Sequence, residues 1–465
     1  MSFAYLHDTR PTLLRDAERL GFSTHRLYDE LAPIWQKMRD AVAGEDVVKA
    51  RGETYLPRLT GQDQEAYRGY LLRAMFFGAT GRTLQGLLGA VMRKDPVVTL
   101  PAAAEPLLDN VTRAGDDLAT FTRLVVNEQL ATGRCGVLVD VGQRGGLPYL
   151  RLYPAESILN WHEVLVDGVP VLDFVALAEF VEPSPLDPEA QRVRARVRVL
   201  QLDETGSYVQ RLIGEDDEAE ILPTRLGRRL SFLPFQFVGA SDNAPRPDKP
   251  PLLDLANVNL SHYRSSADLE HGRHFTALPT PYIVGADPDE DPNVPLMIGS
   301  GTAWMLPAGA HPGLLEFNGQ GLKHLENALV EKQELMVQLG ARMLETQKRA
   351  AETAEALRLR QAGDSSVLAI VADTASRGLQ RALGWLVDWA GVPCAGTVRV
   401  KLNDDFFDTR MGPSELQALV KAWQEGAIAF TDLHANLVRG EVIDPDRSKD
   451  DVLMEIKADA EVPAA

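Results

Sequence analysis

Apolar residues recur at three- and four-residue spacings over Thr12–Leu20, His25–Val42 and Gln62–Met92, and this predicts helices. Pro96 ends the third of these by removing a donor and restricting Asp95. The Pro-Ala-Ala-Ala-Glu-Pro stretch from Pro101 reads as a connector. A helix over Asp116–Ala131 then closes at Gly133, a fitting C-cap. Beyond it the period drops to two. Cys135–Val141, Tyr149–Tyr153, Phe174–Val181 and Phe235–Val238 read as strands. Arg192-Val-Arg-Ala-Arg-Val-Arg-Val alternates most regularly, with one apolar and one arginine face. Glu204-Thr-Gly-Ser marks a hairpin turn before Tyr208.

The second half opens on a proline-rich linker, Ala244–Pro251, and a long helix over Leu252–Phe275. A stretch full of breakers follows, with Pro279, Pro281, Pro288, Pro292, Pro295, Gly301, Pro307 and Pro312. It reads as a small strand-and-loop unit between two long helices. The second helix starts near Gln320 and holds a seven-residue seam of Leu322, Leu325, Leu329, Met336, Leu339 and Met343, with Lys332 as its charged intruder. That seam is equally what a core-facing helix shows. The run continues or breaks near Thr346–Thr353. A further helix spans Glu355–Ala390 with an interruption at Gly363-Asp-Ser-Ser. Thr397–Leu402 is a strand, and Pro413–Val438 gives two short helices around Gly426. Helices first and mostly antiparallel strands afterwards place the chain in the α+β class. Lys457–Ala465 has no apolar period and is expected to fray.

Composition narrows the function classes. The 465 residues are 45% hydrophobic and 25% charged, enough for a sizeable core in two to four structural units. Two cysteines, Cys135 and Cys394, point to a reducing compartment. The N-terminal residues do not read as a signal peptide, and no apolar run approaches bilayer length, so no membrane is expected. The net charge is −18. Tight DNA binding needs a basic footprint, whereas an acidic wall lets a duplex slide.

Candidate chemistry is thin. Gly78-Ala-Thr-Gly-Arg-Thr lacks the spacing and the lysine of a phosphate loop and sits in a helical pattern, so a close contact through small residues fits it better. His262, His271 and His274 share one helix, but converging ligands are missing, and a solvated or inter-subunit face is the ordinary reading. Asp404 and Asp405 are adjacent on a strand end, where neighbouring side chains point apart, so a shared proton is disfavoured. The acidic run Glu215-Asp-Asp-Glu-Ala-Glu near Arg225-Leu-Gly-Arg-Arg reads as a solvated hairpin, with complementary subunit surfaces as the sharper alternative. Neither a catalytic residue nor a metal or cofactor site is expected.

Several local runs resemble the tailed-bacteriophage portal (head–tail connector) family. They are Tyr67–Ala74, Gly81–Pro96, Gly133–Asp140, Tyr153–Trp161, Asn259–Asp268, Leu339–Leu344, Thr353–Ala356 and Trp423–Ala429, and the likeness spreads over roughly residues 55–455. It implies a ring, commonly of twelve, through which double-stranded DNA is packaged and ejected. On this chain the wing would be 1–250, the first stem helix 251–278, the clip 279–318 and the second stem helix 319–345. A channel-proximal segment and long wing helix would occupy 346–410, and a helical crown 411–465. The resemblance makes Gln347, Lys348, Arg349 and Lys332 candidates for facing DNA, although 346–353 has good helix propensity and no glycine, so a continuous helix competes with a loop. Tyr282, Trp304 and Phe317 become candidates for clip contacts. The implied partners are other copies of the chain, the terminase large subunit, a head–tail adaptor, and the major capsid or scaffolding protein. The implied location is the virion. The rival readings are another virion structural protein, such as a capsid or scaffold-like subunit, and a packaging enzyme.

Overall fold

The computed structural model describes residues 17, 19–142, 146–181, 194–214, 218–277, 280–285, 309–315, 320–342, 366–393, 396–404, 406, 413–440, 442–443 and 447–460. The protein is of mixed helix and sheet, in the α+β class that its pattern predicts. It forms two compact units, Met1–Asp404 and Asp405–Ala465.

The first unit opens with helices α1 (Arg26–Ala43), α2 (Glu45–Ala50), α3 (Gln64–Arg73) and α4 (Ala79–Val91), followed by strand β1 (Val97–Thr99) and helix α5 (Leu118–Thr132). Side chains cap these helices as their sequences require. His25 accepts from the Leu27 N–H, Asp63 from Ala66 and Asp117 from Thr120. Gly133 ends α5 at φ 84°. A side chain there would be strained, and its Cβ would also lie 2.7 Å from the Asp248 carbonyl oxygen.

The single helix expected over Gln62–Met92 is instead two. Between α3 and α4 the freed backbone groups are served from far along the chain. Asn259 Oδ1 accepts from both the N–H (3.1 Å) and the hydroxyl (2.9 Å) of Thr80, while its amide donates to the Phe77 carbonyl. A break satisfied by a residue about 180 positions away leaves no local signal. Of the expected helix at Thr12–Leu20, only the last residues are described.

Strands β2 (Arg134–Asp140) and β3 (Tyr149–Pro154) form a three-stranded sheet in the order β11-β2-β3 with the later strand Phe235–Gly239. Next come β4 (Ile158–Val166), β5 (Val169–Val181), β6 (Arg194–Leu202), β7 (Tyr208–Ile213) and β8 (Glu218–Ile221), an antiparallel meander in sequence order. A tiny hairpin joins β9 (Thr224–Arg225) to β10 (Arg228–Arg229). Leu226 and Gly227 turn it at φ 48° and 78°, the left-handed pair of a type I′ turn. The strand Phe235–Gly239 is β11. Tyr28 and Trp35 of α1 pack with Trp161, Val175, Val199, Phe235 and Phe237 into one core.

Two long helices, α6 (Leu253–Ala277) and α7 (Gln320–Arg342), bracket the strand pair β12 (Thr280–Val284) and β13 (His311–Leu315). Helix α8 (Val367–Trp389), capped by the Ser366 hydroxyl, is buried against α5 and β11. Gln129 anchors it by donating to Thr374 Oγ1 at 2.9 Å. Strand β14 (Arg399–Lys401) pairs with β1.

The second unit contains α9 (Pro413–Gln424), α10 (Phe430–Arg439) and α11 (Lys449–Ala460). Trp423 and Phe430 meet edge to face at 6.0 Å, and Leu433 is buried. Fraying was expected from Lys457 onward, yet the helix runs to Ala460. Its Lys-Ala-Asp-Ala end keeps helical propensity without an apolar period, because periodicity reports packing rather than helicity.

Candidate functional site

Helices α6 and α7 form an antiparallel pair, as the order of their contacts shows. Near one end Gln333 meets His262 at 3.2 Å, and Lys332 donates to the Ser261 carbonyl (3.3 Å) and to Ser265 Oγ (2.5 Å). Near the other end Arg273 donates to Glu326 at 3.0 Å, and Leu322 lies against Gly272. An added Cβ on Gly272 would sit 2.5 Å from a Leu322 methyl, so the glycine lets the helices close on each other. Met336 of the heptad seam is buried, while Leu322, Leu325, Leu329 and Leu339 are half-buried. The seam therefore faces α6 within the same chain, and Lys332 is accommodated by polar groups of that helix.

One end of the pair is rooted in the first unit. Leu253, Leu255, Ala256, Leu260 and Tyr263 are buried, as are Asn259, His262 and Ser266. Tyr70 of α3 donates to Asp268 at 2.6 Å, Tyr263 meets Phe76 edge to face, and Gly340 of α7 lies against Thr83 of α4. Gly81 of α4 faces α1 so closely that a Cβ would lie 2.6 Å from the Val42 carbonyl oxygen. The small-residue run there thus makes a tight helix–helix contact, the alternative that its sequence favoured over a phosphate loop. Burial, with help from the Lys332 charge, lowers the His262 pKa.

The other end is open. Arg273, Phe275, Tyr282 and Val284 are exposed. Tyr282 covers Gly313 across the β12–β13 pair, where a Cβ would lie 2.4 Å from its ring. Along α7, Val337 is 72% exposed and Val330, seven residues earlier and on the same face, is 53% exposed. Leu335 is a third exposed apolar side chain of this helix.

Lys332 lies in the helix pair bound to Ser261 and Ser265, and Tyr282 is exposed on β12. Gln347, Lys348, Arg349, Trp304 and Phe317 lie outside the described residues. Of the three histidines, His262 is buried, His271 meets Tyr70 edge to face at 5.2 Å and Phe275 at 4.7 Å, and His274 is exposed. Among the described residues, no group of three or more His, Cys, Asp or Glu side chains could hold a metal ion. Asp404 pairs with Lys401 at 3.1 Å, and Asp405 is outside the described residues. Sequence reasoning missed Asn259 as an anchor and the valines of α7, whose seven-residue spacing was the available signal.

The arginine face of β6 has another role. Arg198 is buried and donates to Glu179 (2.6 Å), Asp140 (3.0 Å) and Gln210 (2.6 Å). Arg196 and Arg151 also pair with Glu179, and Tyr153 donates to it at 2.5 Å. Burial pushes the Glu179 carboxyl up, but Arg198, Arg151 and Arg196 outweigh it and hold it at about 2. A cavity of about 300 Å³ lies beside this network, between Arg113, Tyr149 and Arg151. A carboxylate so thoroughly neutralised is a structural brace and a poor general base. No helix among the described residues is long and apolar enough to cross a membrane.

Residues 251–390, the stretch from α6 through α8, match a family model described as "Domain of unknown function (DUF4055)". Comparison with curated proteins finds no match. Among solved structures, the chain is similar to one from the virion of a native gene transfer agent particle, with 13% identity, TM-score 0.38, and 82% of this chain and 94% of that one covered. A chain from the neck of an empty gene transfer agent particle gives 14% identity, TM-score 0.41, and 83% and 95% coverage. One from the neck of the native particle gives 16%, 0.36, and 84% and 96%.

Proposed function

We propose that this chain is a virion structural protein of the tailed-phage kind and, within that class, a portal-type subunit. Copies of it close into a ring that conducts double-stranded DNA into and out of a capsid. One observation carries this reading: α6 and α7 stand antiparallel around a small strand pair, rooted at one end and open at the other, with an apolar stripe on α7 that the single chain leaves uncovered. Apolar side chains repeated at helical spacing on an open face suit packing against an identical neighbour.

In this reading residues 1–250 are the wing, 251–278 and 319–345 the stem helices, and 279–318 a clip that meets the terminase large subunit and later a head–tail adaptor. Residues 346–410 form the channel-proximal segment and wing helix, and 411–465 the crown. With the Lys332 ammonium held against α6, contact with the passing duplex falls to Gln347, Lys348 and Arg349. The net charge of −18 favours sliding over gripping. The protein acts without catalysis, located at a capsid vertex beside the major capsid or scaffolding protein. Electron microscopy of the purified chain should show closed rings with an axial hole. Sedimentation as a monomer at every concentration would overturn the proposal, and shells or filaments would favour a different virion role.

A further inference from the structure

On a chain with an excess of acidic groups, one groove is basic. It lies between α8, the β9–β10 hairpin and the approach to β14, with a volume of about 860 Å³. Arg377 and Arg381 line it from α8, four residues apart and so on one helix face, together with Trp385. Arg225 enters from β9 and Arg399 from β14, and Asp388 is the acidic side chain among its lining residues. Two of the four arginines already hold carboxylates of their own chain. Arg225 pairs with Asp388 at 2.5 Å and Arg377 with Asp373 at 2.5 Å.

The other two are differently placed. Arg381 is exposed, lies 5.7 Å from the Trp385 ring centre and makes one long contact to Gln236 Oε1, at 3.4 Å. Arg399 is exposed and, among the described residues, reaches its neighbour's carbonyl, that of Val398, at 3.4 Å. Neither has a carboxylate partner among the described residues.

We infer that this groove receives a carboxylate-bearing segment of a second copy of the chain, held by Arg381 and Arg399. Charge complementarity favours this occupant. Each copy carries 66 acidic against 48 basic side chains, so an approaching neighbour presents mostly carboxylates. Guanidinium groups hold carboxylates by charge-assisted hydrogen bonds, as Arg225 and Arg377 of the same groove already do with Asp388 and Asp373. Trp385 suits stacked bases poorly, because Arg381 lies over its ring and Phe232 sits 5.3 Å away at a tilt. The inference identifies a contact within the ring proposed above and rests on that reading only for the geometry of closure.

The test is sedimentation velocity of the full chain at 50 and 300 mM salt, beside an R381E/R399E variant whose unchanged thermal melt confirms folding. Wild-type association should weaken with salt, and the double reversal should weaken it tenfold or more at low salt. In an R381K variant, a carbodiimide should join the new amine to a carboxylate of another copy, identified by mass spectrometry after mixing isotopically light and heavy chains. Rings that form equally well in wild type and double variant would overturn this inference and leave the portal reading standing. Salt-sensitive dimers that depend on Arg381 but never close would do the opposite. A wild type that stays monomeric overturns both, and a duplex DNA that binds through Arg381 and Arg399 while self-association is untouched overturns the choice of occupant.

Discussion

The two-sheet body and the α6–α7 pair handle polar and apolar groups in opposite ways. Inside the body, Glu179, Asp140, Arg151, Arg196, Arg198 and Gln210 satisfy one another across β2, β3, β5, β6 and β7. A buried charge tolerates no missing partner, so this region is complete in one chain. The solvent-facing side of the helix pair does the reverse. Among the described residues the ion pairs of Arg273, at the open end, are exposed and worth little in water, and farther along α7 Val330 and Val337 face outward. A region closed on itself supports the fold, and in the ring proposed above the region left incomplete is where a neighbour would contribute.

The largest effect should come from opening the closed network. Glu179→Ala leaves buried Arg198 with Asp140 as its one carboxylate among the described residues, takes the same partner from Arg151 and Arg196, and should cost about 3–5 kcal/mol in denaturant unfolding. In the wild type the same carboxylate sets an acid limit. Its folded pKa of about 2 lies below its ordinary 4.5, so its contribution is complete above pH 4.5 and is lost as pH falls toward 2. A network contribution that stays constant across that range would break the comparison.

Next in size are changes at the root of the helix pair. Asn259→Ala leaves the Thr80 N–H without its acceptor and should cost about 1–3 kcal/mol. Gly81→Ala drives a Cβ onto the Val42 carbonyl and should cost a similar amount, about 1–3 kcal/mol, through helix separation. Urea midpoints measure both.

A smaller effect concerns His262, which faces Lys332 and Gln333 of α7 and the Phe77 ring. Its folded pKa lies below the ordinary 6.5, so its contribution is complete above pH 6.5 and declines as pH falls below it. The slope should reach at most about 1.4 kcal/mol per pH unit, and His262→Gln should flatten it. Identical urea midpoint curves for the two proteins between pH 7 and 5 would remove His262 from the account.

The smallest effect on stability is the most telling. Val330→Glu with Val337→Glu should change unfolding free energy by no more than about 0.5 kcal/mol, as exposed substitutions do. The same pair should abolish assembly in sedimentation. Loss of stability without loss of assembly would place these valines in the chain's own packing.

The helix and strand alternation and the left-handed stop at Gly133 were legible in the residues, because each depends on neighbours within a turn or two of chain. The long helices on either side of a proline-studded insert were legible for the same reason. The candidate site was legible only in part. The seam residues stood out by period, but a period is equally served by a helix of the same chain or of a neighbour, and only contact shows that Leu322 and Lys332 face α6. The break between α3 and α4, the burial of the β6 arginine Arg198 and the gathering of Arg225, Arg381 and Arg399 into one groove join residues 12 to 179 positions apart. Local pattern determines which segments form and which face of each is apolar. Which faces meet is decided by close packing and by the need of every buried polar group for a partner, and these conditions exist only once the chain has folded.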